Sequence, residues 1–328
     1  MSNKALTAFR VSDVATAIFD YGSTAEMVKA SRVSSIIHAE LHDRTRQRLS
    51  RYLAKWVPFG KLMHEMRDTT LSIFDQSSYA FLHCQPGNIR KLTTLYLVCT
   101  PSDKERTAAF FIANGYLTVT AFSAKKETYH LSLNKYINDL EIFNKGELLI
   151  ALVSTVNDSI IQAALGTVTT AFMNIIGPNS FWLAYKTGTN GIQSYQNPSY
   201  TSGPCPASFP QKIDCAHRIC RNCSVPNHLV IWRTMVERPH KTLCYSHPDC
   251  PQTLRTSNDM YCTIMYFGAD HKSASSKQIR LETTRNTHAV LWRLGGSCYK
   301  GTTAMTPICV IAEDFDKPLF EDSSPNRI

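Results

Sequence analysis

Cys215-Ala-His217-Arg-Ile-Cys220-Arg-Asn-Cys223, followed twenty residues later by Cys244-Tyr-Ser-His247-Pro-Asp-Cys250, is the stretch that organises this chain. Cys205 and Cys262 flank it, so seven of the eleven cysteines fall between positions 205 and 262. Structural zinc takes four tetrahedral ligands, mostly thiolate and imidazole. Two ligands separated by two residues fill two corners from one tight turn. Cys220–Cys223 is such a knuckle and Cys244–His247 is a second, giving a Cys3His set with the knuckle separation of a two-knuckle zinc site. The run between them, His228–Val236, reads as a strand joining one knuckle to the other, as in a zinc ribbon. Cys215, His217 and Cys250 are spare. With Cys205 or Cys262 they make a second site or replace members of the first. The bland alternatives are buried free thiols and disulfides. Free core thiols are the reading for Cys84, Cys99, Cys298 and Cys309.

Outward from that cluster, composition bounds the class. The chain has 328 residues, 43% hydrophobic and 19% charged, which suits a globular protein of one large domain or two ordinary ones. The segment Met1–Phe19 is broken by Lys4, Arg10, Asp13 and Thr16 and carries no secretory pattern. A reducing compartment follows, the cytoplasm or a virion, where metal is favoured over disulfide, and the odd number of cysteines leaves at least one over in any all-disulfide scheme. The most apolar run, Glu147–Ile176, is cut by Asn157-Asp158-Ser159 and contains Gln162 and Asn174. It reads as a buried strand and a buried helix and not as a membrane span.

The formal charge is +9. Residues 205–300 hold 13 Lys+Arg against 6 Asp+Glu, residues 1–75 hold 11 against 8, and the last 28 hold 2 against 5. The basic excess therefore travels with the cysteines, and such a surface attracts polyanions, RNA or DNA first. Arg218, Arg221, Arg233, Arg238 and Lys241 are the phosphate-contact candidates beside the cluster. Arg44, Arg48 and Arg51 are those on an N-terminal helix. The competing reading is a solvated basic face.

Taken in order, Ser23–Glu26 is a capping box ahead of a long helix. Val33, Ile36, Ile37, Leu41, Leu49, Leu53 and Trp56 give that helix its apolar face, and Pro58 ends it. Lys61–Phe74 reads as a second helix with Ile73 inward. Lys91–Thr100, Tyr116–Phe122, Thr128–Leu133 and Leu148–Val156 read as strands, while Thr107–Asn114 fits either state. Asp158 caps a helix running to Ile176. Phe181–Tyr185 is a short strand. Thr187–Pro206, rich in Gly, Ser, Asn and Pro, reads as a long exposed loop. Met260–Phe267, Thr287–Leu294 and Thr306–Ala312 are strand-type, and an acidic tail begins near position 313. The expected fold class is α+β: a helical region over 1–85, then a β-rich, zinc-stapled region over 86–328.

Catalytic signatures are partial. His38-Ala39-Glu40 matches the H-x-E half of a zinc deaminase motif, but Ile219 stands where the P-C-x-x-C half needs proline. His38 and His42 share a helix face without a glutamate between them in H-E-x-x-H register. His64-Glu65 has Asp68 where the second histidine belongs. Gly188–Gly191 and Gly295-Gly296 have no phosphate-loop lysine, and no G-x-S-x-G occurs. His83 and Cys84, adjacent in an extended segment, point to opposite sides. The expectation is a non-enzymatic, zinc-stabilised structural or assembly protein, in the style of a virus coat or clamp subunit. It would work through contacts with itself or other proteins. The alternative is a zinc-containing RNA- or DNA-binding protein.

Overall fold

The computed structural model of the chain describes residues 35–83, 92–119, 131, 134–167, 170–185, 193–195, 197, 231–233, 253–257, 259, 262–267, 289–293 and 308–312. Their centre is a parallel pair of strands, β2 (Thr94–Cys99) and β5 (Leu148–Thr155), in register from Thr94 opposite Leu149 to Cys99 opposite Ser154. All six residues of β2 are buried, so this run is apolar on both sides and not alternating. Side chains still alternate in direction. Leu95, Leu97 and Cys99 join one core with Ile150 and Leu152; Tyr96 and Val98 join the other with Ala151 and Val153.

The sheet grows from this pair in both directions. On one side lie β4 (Ile137–Lys145) and the edge strand β3 (Leu117–Val119). On the other lie β1 (Ser72–Phe74), β6 (Asn174–Ile176), β7 (Ser180–Leu183) and β11 (Thr263–Tyr266). The full order is β11-β7-β6-β1-β2-β5-β4-β3, and every pairing except β2–β5 is antiparallel. Helices α1 (Ser35–Leu53), α2 (Phe59–Asp68), α3 (Asp75–His83) and α4 (Lys104–Ala113) supply the first core, through Leu49, Leu62, Phe81 and Phe111 among others. The second core takes α5 (Ile160–Leu165) and a small three-stranded sheet. That sheet has the order β10 (Arg255–Thr256), β12 (Ala289–Arg293), β13 (Ile308–Ala312), and it contributes Val290 and Trp292. Helices plus a large mixed sheet make the molecule α+β.

Several local expectations are corrected. The second helix stops at Asp68, and Ile73 is inward as a strand residue. Thr69 turns extended, with φ −130° and ψ 178°. Its hydroxyl and amide both donate to the Glu65 carbonyl, and Thr70 donates its amide and hydroxyl to Asp103 at 2.6 and 2.7 Å. These bonds end the helix and carry the chain into the sheet. Asp75, at φ +54°, makes the turn from β1 into α3, a conformation aspartate tolerates better than most residues. His83 closes α3 and is not in a strand. Thr107–Asn114 resolves as helix, with Thr107 and Phe111 buried one turn apart.

The helix expected from Asp158 to Ile176 spans only Ile160–Leu165, and Ile175 and Ile176 belong to β6. Ser159, not Asp158, holds the N-cap position. The stop is built from distant amides: Asn134 Nδ2 donates to the Ala163 carbonyl, and Asn197 Nδ2 donates to those of Leu165 and Thr167. These side chains satisfy carbonyls that a helix end leaves without intrahelical partners. The same bond makes Asn197 a buried anchor within Thr187–Pro206, and β8 (Gln193–Tyr195) lies there too, so that segment is not simply an exposed loop. Of Thr128–Leu133, only Leu131 is described, and it is helical. The capping box at 23–26 and the acidic tail lie outside the described residues.

Candidate zinc-bearing excursion and its anchor

β7 and β11 pair antiparallel with Leu183 opposite Thr263 and Ser180 opposite Tyr266. The chain therefore leaves the sheet edge at Leu183 and returns to the neighbouring position at Thr263. Paired residues of antiparallel strands sit about 4.5–5.5 Å apart at Cα. All seven clustered cysteines fall on this one excursion, residues 184–262. Within it, β8 pairs in parallel with β9 (Ile231–Arg233), so the expected strand between the knuckles has its partner upstream, in Gln193–Tyr195. Cys215, His217, Cys220, Cys223, Cys244, His247 and Cys250 lie outside the described residues, as do Arg218, Arg221, Arg238 and Lys241. Arg233 is placed on β9 by its backbone.

The described cysteine of the group, Cys262, has other work. The returning limb is held by Arg255, which is 2% exposed. Its Nε donates to Asp259 Oδ2 at 2.9 Å, and its Nη2 to Oδ1 at 3.0 Å. The guanidinium lies over the Tyr185 and Trp292 rings, 4.8 and 4.7 Å from their centroids. Nη2 also reaches Cys262 Sγ at 3.4 Å, and the thiol donates to the Thr256 carbonyl. Burial disfavours the Arg255 charge, but hydrogen bonding to Asp259 and the surrounding groups outweigh it, so its pKa lies above the ordinary value. Burial pushes the Cys262 thiol up strongly. The Cys262 sulfur is thus engaged within this joint, by the guanidinium and the Thr256 carbonyl. The Trp182 indole donates to the Ser257 carbonyl at 2.7 Å and meets Trp292 edge-on at 6.2 Å. The Trp292 indole donates to the Tyr185 hydroxyl at 3.3 Å. Together these contacts bolt the small sheet to the large one where the excursion returns. Sequence reading missed this joint: Arg255 and Asp259 are four apart outside a helix, and the aromatic partners are remote in the chain.

Among the expected core thiols, Cys99 is free and fully buried, while Cys309 is free and half-buried. Burial raises both to about 12. Cys84 and Cys298 lie outside the described residues. The N-terminal basic stripe is uneven. Arg51 is exposed, Arg44 is half-buried and Arg48 is buried, so only part of that helix face is open to a polyanion. Lys55 donates to the Leu92 carbonyl and stands over the Trp56 ring at 4.0 Å; burial lowers its pKa to about 8. His64 is exposed, 3.7 Å from Asp68, and His42 is buried. Among the described residues no three His, Cys, Asp or Glu side chains converge as a metal set. No helix among them is long and apolar enough to cross a membrane. No family model, no curated protein and no solved structure matches the chain.

Proposed function

We propose that the chain is a non-enzymatic assembly protein, a coat- or clamp-type subunit of the cytoplasm or a virion, whose cysteine-rich excursion is stapled by zinc. The observation that carries this is the β7–β11 register, which gathers both ends of the excursion onto one edge of a rigid sheet. Long connections inside compact domains are usually functional or separately ordered. Closing one with a metal adds order to it, and structural zinc contributes about 10–16 kcal/mol in small modules. Cys220, Cys223, Cys244 and His247 are the ligands proposed, with Cys215, His217 and Cys250 in reserve. The partners are further copies of the chain or other proteins of an assembly.

Metal analysis of the purified protein and of Cys220→Ser and Cys244→Ser tests the staple. Both substitutions are expected to lose metal and to expose residues 198–252 to protease while the sheet persists. Retention of stoichiometric zinc by both refutes the ligand set. Sedimentation tests the assembly role, and a strict monomer with no partner in its native extract counts against it.

The charge of residues 205–300 favours one second reading, RNA or DNA binding. Arg255 is withdrawn from that surface by Asp259. Phosphate contacts weaken steeply with salt as counterions are released. Affinity that is flat between low and moderate salt excludes this reading.

A further inference from the structure

Asn114-Gly115 lies at the corner where one short turn carries the chain from α4 to the edge strand β3. The turn is a Schellman cap: the Tyr116 amide donates to the Phe111 carbonyl at 3.2 Å, and the Gly115 amide to that of Ile112 at 3.0 Å. Phe111 and Tyr116 meet edge-on at 6.1 Å, the apolar contact that accompanies such a cap. Gly115, at φ +85°, fills the left-handed position that a side chain would strain. The Asn114 side chain adds a bond of its own, its Nδ2 donating to the Phe110 carbonyl at 2.8 Å.

The same two residues form a reactive pair. An asparagine side-chain carbonyl carbon closes a five-membered ring with the backbone nitrogen of the next residue. When that residue is glycine, no side chain shields the nitrogen and the backbone turns freely. In the closed cap both partners are occupied, the nitrogen by Ile112 and the amide by Phe110. A third group faces them. Lys145 Nζ donates to the Asn114 carbonyl at 2.9 Å and stands 5.6 Å from the centroid of the Tyr116 ring. That carbonyl belongs to the peptide bond whose nitrogen attacks. A cation there favours the deprotonated Gly115 nitrogen, which is the nucleophile.

We infer that Asn114 is a site of spontaneous deamidation, gated by opening of the Schellman turn and assisted by Lys145. The Gly115 nitrogen gives its proton to hydroxide and bonds to Asn114 Cγ; the Cγ–Nδ2 bond breaks and ammonia leaves. Water then opens the imide, giving aspartate or, with the chain rerouted through Cβ, isoaspartate. The added backbone atom is incompatible with both cap bonds. β3 depends on that cap, because it pairs with β4 over three residues and its Leu117 is 72% exposed. Conversion therefore releases the edge strand. The inference draws on nothing in the zinc reading.

The test incubates the full chain at mildly alkaline pH, native and in concentrated urea, and maps its peptides by mass spectrometry, with isoaspartate identified by enzymatic methylation. Asn190, which also precedes a glycine and lies outside the described residues, supplies the reference rate in urea. Native Asn114 is expected to convert about tenfold or more slowly than in urea, by the fraction of time the turn is open. Lys145→Met should slow the native reaction severalfold and leave the urea rate unchanged. Converted protein should lose amide-exchange protection at residues 117–119 and keep it in β2 and β5, whereas Asn114→Gln, aged alike, should keep both. Native conversion that is absent, or as fast as in urea, overturns the gated site. Conversion no slower in Lys145→Met overturns the assistance, and protection retained at 117–119 in converted protein overturns the release of β3.

Discussion

The joint at Arg255 makes a demanding prediction. Asp259→Asn keeps the shape of the side chain and one oxygen but removes the charge that faces a guanidinium 2% exposed. Two hydrogen bonds, at 2.9 and 3.0 Å, lose their ionic character, and the cation stays between two rings. Breaking one partner of a buried ion pair costs about 3–5 kcal/mol; with Asp259 itself 18% exposed, the loss here should be about 2–4 kcal/mol. Arg255→Met combined with Asp259→Asn should recover part of that, because no buried charge is left over. Urea unfolding followed by tryptophan fluorescence suits the case, since Trp182 and Trp292 both lie at the joint. Repeating it in high salt separates this pair from a surface bridge, whose contribution salt would screen. A loss below about 1 kcal/mol, or a double variant no better than Asp259→Asn alone, would refute the claim that this pair fastens the two sheets.

Two further predictions concern the body of the fold. A Cβ on Gly166 falls 2.2 Å from Asn134 Oδ1, so Gly166→Ala should displace the amide that caps Ala163 and destabilise the protein by about 1–3 kcal/mol; thermal unfolding that matches the parent refutes it. Lys55 binds a proton less readily folded, at about 8, than unfolded, at 10.5. The unfolded chain therefore holds more protons between those values, and the Lys55 contribution to stability rises with pH across that window. Lys55→Met should flatten that rise relative to the parent, read as melting temperature against pH, and an identical profile in the variant argues against it.

How much of this was readable in advance depended on where each residue's partners lie. β2, β5, β11, β12 and β13 were visible because apolar, β-branched runs of strand length declare themselves locally. The spacing of Cys220, Cys223, Cys244 and His247 is equally local, and those four residues lie outside the described ones. Ile73 was misread because it keeps helical phase with Leu62 and Met66, while the groups that end the helix, Asp103 and the Thr69–Thr70 pair, act across the fold. The short α5 was misread for the same reason: its stop is supplied by Asn134 and Asn197, more than twenty residues away on either side. Asn157-Asp158-Ser159 looked like an ordinary helix start. Only the fold shows that the residue at the cap is Ser159 and that its hydroxyl is not used for capping.

The β7–β11 pairing also has a consequence for biosynthesis. A ribosome finishes Leu183 long before it reaches Thr263, and at roughly 5–20 residues per second the interval is about 4–16 s. Throughout it, the outer edge of Ser180–Leu183 waits without the strand that will cover it. An apolar strand with an open edge is a template for pairing with another nascent chain. The yield of correctly folded protein should therefore depend on polysome crowding and translation speed more than on the stability of the finished molecule.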